Sequence, residues 1–247
     1  MRQRLLLAVI GAVVFVAVGI ATLPASLLVG RLPPDLRLQG VGGSVWHGGA
    51  DSVRLRAVEL GALRWDADLA ALLRGQLEYA VELQRADGYL RGRIGATPGG
   101  TLLVRDLQLA LPVGALSPTA GADQGWRGNL TGTVRTARIE AGWPAALVGR
   151  FEVAGLQPPA SALEVGSYTI EFAPGAGTPT RLVGLVREHE APLVVRAQLA
   201  VSRDRSYLLE GEVTPRPHAP AEVVRAIAFL GAPDAAGRRP FTITGTF

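Results

Sequence analysis

The feature that most limits how this chain can fold is a two-residue alternation of apolar and polar side chains, repeated in short blocks bounded by Gly, Pro, Asp and Asn. In Gln76–Leu83, Leu77, Tyr79, Val81 and Leu83 fall on one side, while Gln76, Glu78 and Glu82 fall on the other. Side chains of a strand switch faces at every residue and those of a helix do not, so this block predicts a strand with one covered face. The pattern returns in Leu103–Leu111 through Leu107, Leu109 and Leu111, and in Ser167–Phe172 through Tyr168, Ile170 and Phe172. Ser206–Val213 repeats it with Tyr207, Leu209 and Val213. Ala86-Asp-Gly-Tyr89 and Ser202–Ser206 are turn sequences between consecutive blocks, which predicts sequential antiparallel hairpins. The expected fold class is mainly β: an elongated, mostly antiparallel sheet with one apolar and one polar face and a few short helices.

Two segments depart from this period. Asp68–Arg74 is followed by Gly75, and Pro220–Leu230 is followed by Gly231; Pro near the start and Gly just past the end are helix boundaries. Val223, Ile227 and Leu230 form an apolar stripe, so the second helix should pack on the sheet. Pro112–Gly128 is rich in Gly, Pro, Ser, Thr and Ala and would divide the body into halves at 38–111 and 128–247. A short echo accompanies that division: Ala70–Glu78 resembles Ala145–Glu152, each following a Trp, at 65 and 143.

The N-terminus is of another kind. Leu5–Leu23 carries no charge, and none intervenes between Arg4 and Arg31. As a helix rising 1.5 Å per residue this run would span about 28 Å, close to the hydrocarbon thickness of a bilayer. Arg2 and Arg4 just before it favour a cytoplasmic N-terminus and a translocated body. Gly19-Ile20-Ala21 offers a signal-peptidase-like alternative near Ala21, but the apolar run exceeds a usual signal core and resumes in Ala25–Val29. The expectation is therefore a retained transmembrane anchor within residues 1–30, single-pass in the inner membrane, followed by a periplasmic domain over 31–247.

Charge and composition remove several function classes. All 25 basic residues are Arg, yet no Arg-rich run or basic-aromatic platform accompanies them. With Arg2 and Arg4 set aside, 23 Arg face 21 acidic residues, so nucleic acid is not an expected partner. The absence of Cys removes disulfides, thiolate metal sites and thiol catalysis. The three His do not form an HExxH zinc pattern, and no GxSxG elbow, Walker A loop or GxGxxG turn occurs. Glu188-His189-Glu190 is the densest ligand-like cluster, but a strand would point His189 away from both carboxylates; it is expected to be a solvated turn. Asp66 and Asp68 could share a strand face toward a cation, with Asp68 as a helix cap the favoured reading. Ser44 lies near His47 without a carboxylate evident beside them, and Asn129-Leu-Thr131 matches a glycosylation sequon. No catalytic, metal or cofactor residue is expected. The C-terminal Phe241–Phe247 alternates like an outer-membrane barrel strand, but most other blocks are shorter than the 9–11 residues a spanning strand needs.

The most specific residues are Leu38-Gln-Gly-Val-Gly-Gly-Ser-Val-Trp-His-Gly48, containing Gly40, Gly43, Trp46 and Gly48. They follow the apolar N-terminus and Ala21-Thr-Leu-Pro-Ala25, and precede Leu63-Arg-Trp65 and Leu230–Gly237. This order resembles the type II secretion system protein N family, also called general secretion pathway protein N. Ser44 stands where the family pattern leads one to expect Thr, and His47 where a small polar residue is commoner. Gly at these positions would permit bends, and Trp46 would plug one end of the core. The resemblance implies a non-enzymatic accessory of the machine that exports folded proteins from the periplasm across the outer membrane. It would contact other secretion components, either the inner-membrane platform or the secretin. A second expectation is an envelope lipid-handling protein, since the anchored, one-sided sheet is similar in layout to AsmA-like proteins with curved β grooves.

Overall fold

The computed structural model describes residues 19, 22–30, 34–55, 58–72, 75–116, 125–159 and 164–246. The anchor expected over Leu5–Leu23 lies almost entirely outside the described residues. Among those described, no helix is long and apolar enough to cross a membrane.

The chain forms one 14-stranded antiparallel sheet. After a single turn of helix, α1 (Ser26–Val29), come β1 (Leu36–Gln39), β2 (Gly42–Gly43), β3 (His47–Leu55) and β4 (Val58–Asp68). A second helical turn, α2 (Leu69–Leu72), leads to β5 (Leu77–Arg85), β6 (Gly88–Ala96), β7 (Leu102–Pro112), β8 (Arg127–Glu140) and β9 (Trp143–Gln157). The remainder is β10 (Gly166–Phe172), β11 (Arg181–His189), β12 (Leu193–Ser202), β13 (Ser206–Pro215), α3 (Ala221–Ile227) and β14 (Arg239–Thr246). From β3 onward each strand pairs with the next in sequence, β1 pairs with β3, and β2 is a short addition to β3. The meander follows from the hairpin turns: Ala86 and Asp87 join β5 to β6, and residues 203–205 join β12 to β13. The order ends at β1 and β14, which do not pair with each other, so the sheet is open.

Several strands outrun the alternating blocks of the sequence. β8 has 14 residues and β9 has 15. The register shifts between Arg91 and Arg93 where β6 meets β7, and between Val134 and Thr136 where β8 meets β9. Each such bulge inserts a residue and changes the phase of alternation, while the same face of the sheet continues. Pro112 on β7 pairs with Asn129 on β8, so the sheet crosses the Pro112–Gly128 interval without a break. The echo between residues 70–78 and 145–152 has no structural counterpart: the first forms α2 and the start of β5, the second the interior of β9.

Candidate functional site

The glycine-rich block forms the corner where the chain enters the sheet. Gly40 and Gly43 have φ of +65° and +85°, which residues with a Cβ rarely adopt. Ala25 N–H donates to the Gly43 carbonyl at 3.1 Å and Val45 N–H to the Leu23 carbonyl at 2.8 Å, stitching the segment before α1 to this corner. Trp65, not Trp46, plugs it. Trp65 is 8% exposed and packs with Ala25, Ala50 and Val53, and its indole N–H lies 3.2 Å from the carbonyls of Ser44 and Val45. Gly48 pairs with Trp65, and a Cβ there would sit 2.7 Å from the indole. Trp46 is half-buried and contributes its carbonyl, which accepts Ala67 N–H at 2.7 Å.

The fold also brings a carboxylate to Ser44 and His47. His47 pairs with Asp66 across β3 and β4, and its Nδ1 lies 3.3 Å from Asp66 Oδ2, with the two side chains 75% and 60% exposed. Ser44 Oγ does not engage the imidazole. It accepts His47 backbone N–H at 3.1 Å and lies 3.4 Å from the His47 carbonyl, closing the turn. A nucleophile needs its base in hydrogen-bond reach and a site shielded from water; here the hydroxyl is held by backbone and the His–Asp pair stands in solvent. The neighbouring cleft is lined by polar-face residues including Arg64, Glu82 and Arg91.

Asp68 caps α2, its Oδ1 accepting N–H groups of Ala70 at 2.9 Å and Ala71 at 3.3 Å. Glu188 departs from its expected place in a solvated turn. Its side chain, 14% exposed, meets Arg216 at 3.1 Å and accepts Val195 N–H at 3.2 Å, tying β11, β12 and the end of β13 together. His189 remains exposed and Glu190 forms the turn with φ +53°. The Tyr168 hydroxyl donates to the Val165 carbonyl at 2.8 Å; burial, reinforced by the Glu188 charge, pushes its pKa above the usual phenol value. Among the described residues no group of three or more His, Asp or Glu could hold a metal ion.

On the polar face, Glu78 is buried, its carboxylate 2.9 Å from Arg105 and 3.7 Å from Arg93. The sequence placed Glu78 correctly on the polar side, but gave no sign that it would be covered by two arginines from strands still to come.

The opposite face is apolar from one edge to the other. Successive register pairs carry it across the sheet: Trp65 with Val81, Leu83 with Leu90, Leu90 with Leu109, Leu111 with Leu130, and Leu130 with Val153. It continues through Ile170 with Val186, Leu199 with Leu209, and Leu209 with Ile243. At 4.7–4.9 Å between neighbouring strands, the apolar face extends about 60 Å. Aromatic rings lie against glycines of adjacent strands. A Cβ on Gly132 would be 2.7 Å from Phe151, one on Gly184 2.9 Å from Phe172, and one on Gly245 2.5 Å from Tyr207. Phe151 and Phe172 themselves meet edge to face, with centroids 6.0 Å apart. Rings set against glycine occupy the space that a Cβ would take.

Among the described residues this face is covered by other elements near its ends, and between them Val104, Val134 and Ala137 form a buried cluster with Leu107 and Phe151 packed against it. Val223 and Ile227 of α3 pack on Val186, Val195 and Val213, and Ala25 covers Ala50 and Val53. Over β6 to β8, Leu90, Ile94, Leu109 and Leu130 are each only partly buried and belong to none of the buried clusters among the described residues. No large side chain among the described residues is fully buried. The candidate functional surface is therefore the partly exposed middle of the apolar face.

The family model described as Type II secretion system (T2SS), protein N matches residues 34–242. The chain is 26% identical over 254 residues to Type II secretion system protein N of Aeromonas hydrophila, covering 99% of each chain. It is 29% identical over 235 residues to the protein of that name from Vibrio cholerae serotype O1, covering 90% of each. With the Klebsiella pneumoniae protein of that name it shares 27% identity over 251 residues, covering 99% of this chain and 97% of the other. No solved structure matches the chain. A family match running from just before β1 into β14 takes in the whole sheet, and the chain belongs to the type II secretion system protein N family.

Proposed function

We propose that this chain is a non-enzymatic accessory of the type II secretion system that supports export of folded periplasmic proteins across the outer membrane. In this reading Leu5–Leu23 anchors it in the inner membrane, with Arg2 and Arg4 on the cytoplasmic side, and the sheet stands in the periplasm. Its partners are other secretion components, at the inner-membrane platform or the secretin. The observation that carries the reading is the pairing of family membership with a long apolar face whose residues Leu90, Ile94, Leu109 and Leu130 stay partly exposed. Exposed apolar surface costs stability unless something binds it, whereas the Ser44, His47 and Asp66 corner lacks a nucleophile joined to a base. Deletion of the gene, followed by assay of secreted hydrolases in the medium, tests it: export should fall and the hydrolases accumulate in the periplasm. Undiminished export would refute the proposal.

The same partly exposed face supports a second reading, in which acyl chains lie along it and the protein handles envelope lipid. Mass spectrometry of the purified protein separates the two. Stoichiometric co-purified lipid, lost on substitution of Leu90 and Leu109 by Asp, would favour lipid handling; its absence would leave a protein partner as the occupant.

A further inference from the structure

The open sheet has two edges, and they are built differently. β1 is four residues long, carries Arg37 and follows Pro34 and Asp35. Shortness, charge and proline are the usual protections of an edge against pairing with another chain. β14 is eight residues long, and no charged residue occurs from Phe241 to Thr246. Its register against β13 runs from Arg239 to Thr246 without a bulge. Pro240 and Arg239 protect only the start of the strand. Beyond it, among the described residues, β14 pairs with β13 alone, leaving its outer row of backbone donors and acceptors open. Ile243 lies on the apolar face opposite Leu209 and is 46% exposed, as a residue with a neighbour on one side only.

We infer that β14 pairs antiparallel with β14 of a second copy of this chain, joining two sheets into one. The strand is self-complementary about Ile243. With Ile243 opposite Ile243 of the second copy, Thr242 faces Thr244 of that copy, and Phe241 faces its Gly245. Phe241, Ile243 and Gly245 pair with Gly211, Leu209 and Tyr207 on the apolar face, so both apolar faces would run on uninterrupted. The threonines would form cross-strand pairs on the polar face, a favourable combination in antiparallel sheets. Phe241 of the second copy would meet the Tyr207 ring that already fills the space over Gly245, an aromatic cross-strand contact of the kind that stabilises antiparallel sheets. The antiparallel register thus satisfies the edge backbone and covers Ile243 in one step.

The chain contains no Cys, so single cysteines report on this contact cleanly. In the full-length protein in its membrane, Ile243→Cys should give a species of twice the chain mass on mild oxidation or with a short bismaleimide, while Arg37→Cys on the β1 edge should not. Adding Thr242→Lys and Thr244→Lys to Ile243→Cys should abolish the cross-link, with thermal unfolding unchanged as the check on folding. A monomer under all conditions, an adduct of some other mass, or equal cross-linking from Arg37→Cys would overturn the inference.

Discussion

Val213 and Leu90 belong to the same apolar face, yet they live in different surroundings. Val213 is 3% exposed, with Val223 and Ile227 of α3 packed in the same cluster at 2% and 7%, while Leu90 on β6 is half-buried and outside the buried clusters of the described residues. Both stand in strands of equally regular alternation. Alternation therefore decides which side of a sheet is apolar, and what lies over that side is decided by connections elsewhere in the chain. The β13–β14 connection is long enough to hold α3 and folds back as a roof; the β5–β6 connection is a two-residue turn and cannot. Where the connections are tight turns, the described residues leave apolar side chains such as Leu90 partly exposed, and these make sense as a surface that meets something else.

The comparison is most sharply broken through the roof. Ile227→Ala should cost about 2–4 kcal/mol, the range for emptying a closely packed site. Leu90→Ala should cost about 1 kcal/mol or less, because much of its surface already faces solvent. Chemical denaturation measures both, and equal costs would mean that the middle is covered after all. Next, Gly132→Val should destabilise by about 1–3 kcal/mol, since its Cβ would press on Phe151. Phe151→Leu in the same chain should recover part of that loss, which would locate the strain in the contact with that ring.

On the polar face, Glu78→Ala should cost about 1–2 kcal/mol. This is below the value for a fully buried pair, because Arg93 and Arg105 keep 59% and 41% of their side chains in solvent and are screened. A Glu78→Gln variant should fall between, and an unchanged melting temperature in both would show that the pair adds nothing to the sheet.

The smallest effect concerns pH. The Arg85 guanidinium lowers the pKa of Asp87, the Ser206 hydroxyl and amide lower that of Asp204, and backbone N–H groups led by Arg238 lower that of Asp234. A carboxylate held below its ordinary value contributes stability above that value, and the contribution is lost as acid takes the pH down through the lowered one. All three lie in exposed turns, so the loss should be local. The protection of the Ser206 amide, measured as its exchange rate relative to the intrinsic rate at each pH, should fall on acidification below the ordinary carboxylate range, and Asp204→Asn should remove most of that pH dependence.

Much of this architecture could be read from residues close together in sequence. The alternation in 76–83, 167–172 and 206–213 marked strands and their apolar side, Asp87-Gly88 marked a hairpin, and Asp68 marked a cap. What escaped depends on pairing at a distance. The bulges opposite Gly92 and beside Val134 shift the period, so β7, β8 and β9 looked short or irregular although their apolar face is continuous. Glu188 looked solvated because Arg216, which covers it, lies 28 residues away. Trp46 was the expected plug, but the register of β3 against β4 sets Trp65 over Gly48. The Ser44, His47 and Asp66 grouping was invisible for the same reason, and its geometry supports a turn rather than a reaction.

The central claim is that this secretion component works through the partly exposed middle of its apolar face. In a strain lacking the gene, the direct test is to restore the chain carrying Leu90→Asp and Leu109→Asp and to measure hydrolases in the medium, with membrane fractions checked for folded protein. The account predicts that the wild type and a Ser44→Ala, His47→Ala variant restore export while the folded double-Asp variant does not. Full export by the double-Asp variant would contradict it.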